Sequence, residues 1–214
     1  INEEQSYRLN NNHSDLYSSL HSSSIFYQLI DTYIPDYPPI RYFSNFSKLE
    51  LNHFLKTLDY SDAWRVSNEI MGLAVLIAFN EKKEQNKGHL QIILDEIKSR
   101  QDSKSGLWHG TRNKSIINGI AATFHYVPLY DYLNEKLDFK EEILSSILSI
   151  ALKNGYFSSP AGYACIDYDC VAILKYLVVN DKGNSINKKS KEKIIKIIKK
   201  LRQSIIESQN IDGG

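Results

Sequence analysis

The feature that most restricts this chain is a unit that recurs three times: an apolar helix, an amphipathic helix, then a turn containing glycine. The turns run from Gln101 to Trp108, Lys153 to Phe157 and Gln209 to Gly214, about fifty residues apart, the spacing of a structural repeat. An apolar helix has no face to offer water and must be surrounded by protein. An amphipathic helix has one such face and belongs outside. The alternation therefore predicts two layers, and no period-two pattern of strands competes with it. Stacked hairpins of this kind make an open solenoid or a closed ring. The expected fold is all-α, a double layer of helical hairpins.

Periodicity places the elements. A first helix covers about 13–34, with Leu16, Leu20, Ile25, Leu29 and Ile30 on one face, and Pro35, Pro38 and Pro39 forbid its continuation. A second covers 44–58. Asp62 is a natural N-cap for a helix over 63–79. Further helices follow over 87–100, 114–133, 140–152, 167–179 and 188–208, and Pro128 predicts a kink in the fifth. Residues 1–60 read as N-terminal helices with a proline-rich connection. Residues 61–214 read as one continuous domain of three repeats, at about 61–110, 111–160 and 161–214.

Net charge is +1, so no global field draws the chain to nucleic acid or to a membrane. The local exception, Lys188 to Arg202, reads as the solvated face of an outer helix rather than a polyanion site. The only cysteines, Cys165 and Cys170, lie five apart, a spacing that argues against a structural disulfide and for a reducing compartment. Both read as small apolar fillers. With no signal peptide and no run of spanning length, the expected location is cytoplasmic. The chain starts at Ile1 and stops inside its third turn, so a missing C-terminal segment or a partner protein is expected to complete it.

Candidate chemistry centres on Asp167 and Asp169, two residues apart where the chain enters an apolar run. On the first turn of a helix both face its positive end. They fit a cap or a pairing with Arg65 or Lys175, and they fit a proton-donating pair. Trp64, Arg65, Asn68 and Glu69 open the first apolar helix. Arg65 and Glu69 have the spacing of an i,i+4 ion pair, and in a ring they would also form a charge cluster opposite the two acids. Asn118 and His125, seven apart, share a face. His125 fits either a hydrogen-bonded core residue or a base. Tyr126, Tyr130, Tyr156, Phe157, Tyr163 and Tyr168 would line an aromatic cavity or fill a core. His109 reads as surface. The candidate binding residues are therefore Trp64, Arg65, Asn68, Glu69, Asn118, His125 and Tyr168, around a catalytic Asp169 and Asp167. No metal or cofactor is expected, since Asp169 and Cys170 with His125 or His109 make a poorer reading than a metal-free site.

The turns resemble those of the α/α-toroid superfamily of class II terpene cyclases and protein prenyltransferase β-subunits, whose signature is Gln, three residues, Gly, one residue, Trp or Phe. Gln209 to Gly213 has the spacing. Gln101 to Trp108 has the residues with one extra before Gly106, and Gly155 and Phe157 keep the glycine-to-aromatic interval. The resemblance covers about 62–214 and implies that the double layer is an α/α toroid, open or incomplete in this chain. Class II cyclases carry Asp-x-Asp-Asp-x-Ala at an inner-helix start. Asp167-Tyr168-Asp169-Cys170-Val171-Ala172 is similar, with Cys170 in place of the third acid. The resemblance implies that Asp169 protonates an isoprenoid olefin in a central cavity, with Asp167 beside it. Gly106-Leu107-Trp108-His109-Gly110 is also similar to an inner-helix string of lanthionine synthetase cyclase-like toroids, whose cysteine ligands have no counterpart here. Two other readings stay open: a non-catalytic α/α module binding a small molecule, glycan or protein, and a carbohydrate-active α/α barrel using a carboxylate pair.

Overall fold

The computed structural model describes residues 47–84, 88–157, 164–179 and 186–208. Among them are seven helices and no strand: α1 Lys48–Thr57, α2 Ala63–Glu84, α3 His89–Lys98, α4 Ile116–Tyr132, α5 Lys140–Ile150, α6 Ala164–Val179 and α7 Lys188–Ser208. The helix expected over 13–34, Tyr163 and the turn Gln209 to Gly214 lie outside the described residues. The chain divides into two compact units, residues 1–100 with 110–113, and residues 101–109 with 114–214.

In the first unit α3 packs against both α1 and α2. Its stripe of Leu90, Ile93, Leu94 and Ile97 is buried with Leu51 and Leu55 of α1 and Ile70, Leu73 and Ile77 of α2. Each start has its own chemistry. Ser47 caps α1 by a reciprocal box: its hydroxyl accepts from the Glu50 N–H at 3.2 Å while its own N–H donates to Glu50 Oε2 at 2.8 Å. Asp62 caps α2 as its sequence predicts, Oδ1 accepting from the Arg65 N–H at 3.2 Å. The residue before α3 is Gly88, which offers no side chain. Glu81 of α2 takes over, Oε1 accepting from the N–H groups of His89 and Leu90 at 2.7 and 3.3 Å. A carboxylate at that end also meets the positive pole of the helix. The strap 110–113 is held to the segment before α2 by Thr111 N–H donating to Tyr60 O and Asn113 N–H to Ser61 O. Arg100 lies over the Tyr60 ring, 3.4 Å from its centroid.

In the second unit α6 is the hub, packed by α4, α5 and α7. Helices α4 and α6 are apolar on most sides, whereas α5 buries only Ile143, Leu144 and Ile147, and α7 only Ile194, Ile197 and Leu201. Two inner and two outer helices result, as apolar-then-amphipathic alternation requires. Helix α4 continues through Pro128, whose missing N–H costs least on the exposed side where it sits.

The two described turns of this unit share one construction. In the first, Asp102 N–H donates to Leu107 O and Gly106 N–H to Asp102 O. In the second, Leu152 N–H donates to Tyr156 O and Gly155 N–H to Leu152 O. Both glycines have positive φ, 71° and 95°, and both press backbone on backbone. A Cβ on Gly106 would come within 2.6 Å of Ile143 N and 2.7 Å of Phe139 O at the start of α5, and one on Gly155 would strike Leu201 N and come within 2.9 Å of Ile197 O in α7. Gln101 ties the first turn together, donating to Gly106 O at 2.8 Å and Asp138 O at 3.2 Å. After each glycine an aromatic is buried, Trp108 against Tyr126 and Tyr130, and Phe157.

Candidate functional site

Helix α6 begins at Ala164, three residues earlier than expected, and Ile166 in its first turn is already buried. That shifts the acids. Asp167 stays in the first turn and Asp169 moves into the second, so the two do not share the positive end of the helix. Neither caps it. Asp167, 7% exposed, turns to the preceding turn, where its Oδ1 accepts from the Phe157 N–H at 2.6 Å. A short charge-assisted bond of this kind fixes the turn to the inner helix.

Asp169 is different. It is 6% exposed, and among the described residues no hydrogen bond or ion pair reaches its carboxyl. Burial alone pushes it up to about 7, so near neutrality a large fraction of it is a protonated carboxylic acid. Cys170 beside it is fully buried, and burial first, then the neighbouring Asp169 and Asp167, holds its thiol far above the usual range. It acts as an apolar filler as expected, while Cys165 is exposed and fills nothing. Both thiols are free.

The remaining candidates are divided between the two units. Tyr168, between the two acids, is 65% exposed and meets only the edge of Phe124, at 5.5 Å between centroids. Phe124 also borders His125, which is half-buried and hydrogen-bonded or otherwise partnered. Asn118 is half-buried on α4. Tyr126, Tyr130 and Phe157 are core residues, so they are not free to line an open cavity. In the first unit Trp64 is 41% exposed, Asn68 donates to Trp64 O at 3.0 Å, and the Arg65 guanidinium pairs with the buried Glu69 at 3.3 Å. Trp64, Arg65, Asn68 and Glu69 thus belong to one unit and Asn118, His125, Asp167, Tyr168 and Asp169 to the other.

A cluster that sequence reading missed lies in the first turn. Ser105 Oγ donates to Asp102 Oδ2 at 2.9 Å, accepts from the Leu107 N–H at 3.2 Å, and lies 2.9 Å from His109 Nε2. With the single hydroxyl proton given to Asp102, the His109 contact is donated by Nε2–H, which leaves Nδ1 as an acceptor. That Nδ1 is buried without a partner against Gly119. His109 is therefore not the surface residue expected. The Lys104 N–H, then the Ser105 hydroxyl, hold the Asp102 carboxyl below its ordinary range despite some burial. The serine sits between acid and imidazole, whereas a nucleophilic triad needs the imidazole in the middle. The cluster braces the turn. Its only trace in the sequence is Asp followed three residues later by Ser.

Among the described residues no group of three His, Cys, Asp or Glu side chains is placed to hold a metal ion, and no helix is long and apolar enough to cross a membrane. Comparison with family models, curated proteins and solved structures gives no match for this chain. The geometry defines a class, an all-helical protein with a hub helix that carries two buried acids, one holding a turn N–H and one with no hydrogen bond among the described residues.

Proposed function

We propose that this chain is a terpene cyclase-like acid catalyst in which Asp169 protonates the olefin of an isoprenoid held in an α/α-toroid cavity. The observation that carries the reading is the Asp169 carboxyl, buried, without a partner among the described residues and near half-protonated at neutral pH. An acid for a carbon–carbon double bond must keep its proton at working pH and have no better acceptor nearby. The proton passes from the Asp169 carboxyl to one olefinic carbon, leaving a cation on the other. Ring closure consumes a second double bond, loss of a proton to a base ends the sequence, and water returns the proton to Asp169. Asp167, already bonded to Phe157, acts as a positioning residue that fixes the start of α6.

The second reading is a non-catalytic α/α module, favoured by the enclosure of Tyr126, Tyr130 and Phe157 in the core, where they cannot stabilise a cation. A panel of isoprenoid diphosphates incubated with wild type and Asp169→Asn separates the two. A cyclised product from wild type, lost in the variant, supports the acid reading. No product from wild type, with binding of any panel member undisturbed by the variant, leaves the binding module.

A further inference from the structure

Helix α7 carries eight cations against two carboxylates, a net +6 in a chain whose total is +1. A merely solvated outer helix turns polar side chains outward, as α5 does with Ser145 and Ser149 and α3 with Gln91 and Asp95. Helix α7 does not. Ile195 and Ile206 are 54% and 49% exposed. They stand on the same azimuth as Lys188, Lys199 and Arg202, because steps of three and four residues return to one face. Lys193 and Lys196 lie to one side of that stripe and are also exposed. Among the described residues no carboxylate pairs with Lys193, Lys196, Lys199 or Arg202. The opposite face is committed to the unit: Ile194, Ile197 and Leu201 are buried, Lys200 Nζ donates to Lys153 O at 3.2 Å, and Ser204 Oγ donates to Asn154 O at 2.8 Å.

We infer that the outer face of α7 docks on an anionic lipid surface, with Ile195 and Ile206 entering the headgroup boundary and the surrounding lysines meeting lipid phosphates and carboxylates. The occupant follows from complementarity. A positive stripe calls for a negative partner, and exposed isoleucines within the stripe call for an apolar one, which a bilayer interface supplies together. Nucleic acid supplies only the charge, and α7 has no aromatic side chain on which a base would stack. An acidic protein helix would leave the lysines beyond its width unmatched.

Sedimentation of the full chain with phosphatidylcholine vesicles, with and without phosphatidylserine, tests this. Binding is expected only with phosphatidylserine and is expected to fall steeply in roughly 0.5 M salt. The triple variant Lys196→Gln, Lys199→Gln, Arg202→Gln should bind about a hundredfold more weakly, since each surface cation is worth about a factor of five. Ile195→Ser with Ile206→Ser should lose about tenfold at unchanged charge. These side chains are exposed, and unchanged helical circular dichroism checks that the variants fold. Three results each overturn the proposal: no binding to phosphatidylserine vesicles, binding indifferent to the isoleucine change, or displacement from vesicles by inorganic phosphate or by single-stranded nucleic acid at lower charge concentration than the lipid.

Discussion

Two inner helices of the second unit, α4 and α6, invite direct comparison. Placing Ile166 over Gly119 matches the burial of ten of the twelve positions through to Leu177 over Tyr130, with exposed Lys175 over exposed Pro128; the departures are exposed Tyr168 over buried Ala121 and half-buried Tyr176 over buried Leu129. On that frame Asp167 falls where α4 has Ile120, and Asp169 where it has Ala122, both α4 positions fully buried and apolar. The scaffold therefore builds an inner helix without acids. Asp167 offsets its burial by holding the Phe157 N–H, whereas Asp169 gains no partner among the described residues and stays as a cost to the fold. A buried carboxyl that the packing does not need is the position where a function is most economically sought.

The comparison can be broken most forcefully at Asp169. An acid whose folded pKa lies near 7 binds a proton in the folded state that it has released in the unfolded one, at every pH from about 4 to 7. Its contribution is thus present in acid and lost as pH rises toward and through 7. Asp169→Ala, which copies Ala122, should remove that slope and stabilise the protein at pH 8 by up to about 4 kcal/mol, with little change at pH 4. Urea unfolding across this range reads it, and parallel pH profiles for the two proteins would refute it.

The shared turn comes next. Gly155→Ala places a Cβ on the α7 backbone at positive φ and should destabilise by about 3 kcal/mol. Gly106→Ala should act alike through α5, and thermal melts showing either substitution to be neutral would break the equivalence of the turns. Asp167→Ala orphans the buried Phe157 N–H and should cost about 2 kcal/mol, opposite in sign to Asp169→Ala at pH 8. Smallest is Ser105→Ala, about 1 kcal/mol, with hydrogen exchange faster at Leu107 and unchanged at Tyr156.

The seven described helices were legible in the sequence because their apolar residues recur at helical spacing, and the ends fell within a few residues of the caps. The largest departures are the end of α2, expected at 79 and found at Glu84, and the start of α1, expected at 44 and found at Lys48; the start of α6 is earlier by three residues. Ala164, Cys165 and Ile166 give no starting signal, so the acids looked like the first turn when only Asp167 belongs there. The glycine turns were visible as interrupted patterns, but their pairing with Phe139, Ile143, Ile197 and Leu201 was not, since those contacts span tens of residues. The partners of Asp167, Glu81 and His109 were hidden for the same reason. Each is a backbone or side-chain group that no local spacing announces.

What the sequence determined alone is the helical class and, in the second unit, which helices are inner and which outer, because water sorts a helix by the width of its apolar face. What only tertiary structure decided is which buried acid is satisfied. Asp167 and Asp169 are the same residue type two positions apart, and a turn fixed by Gly155 brings an N–H to one and none to the other. A carboxyl is charged or neutral according to what surrounds it, and that surrounding exists only once the chain has folded.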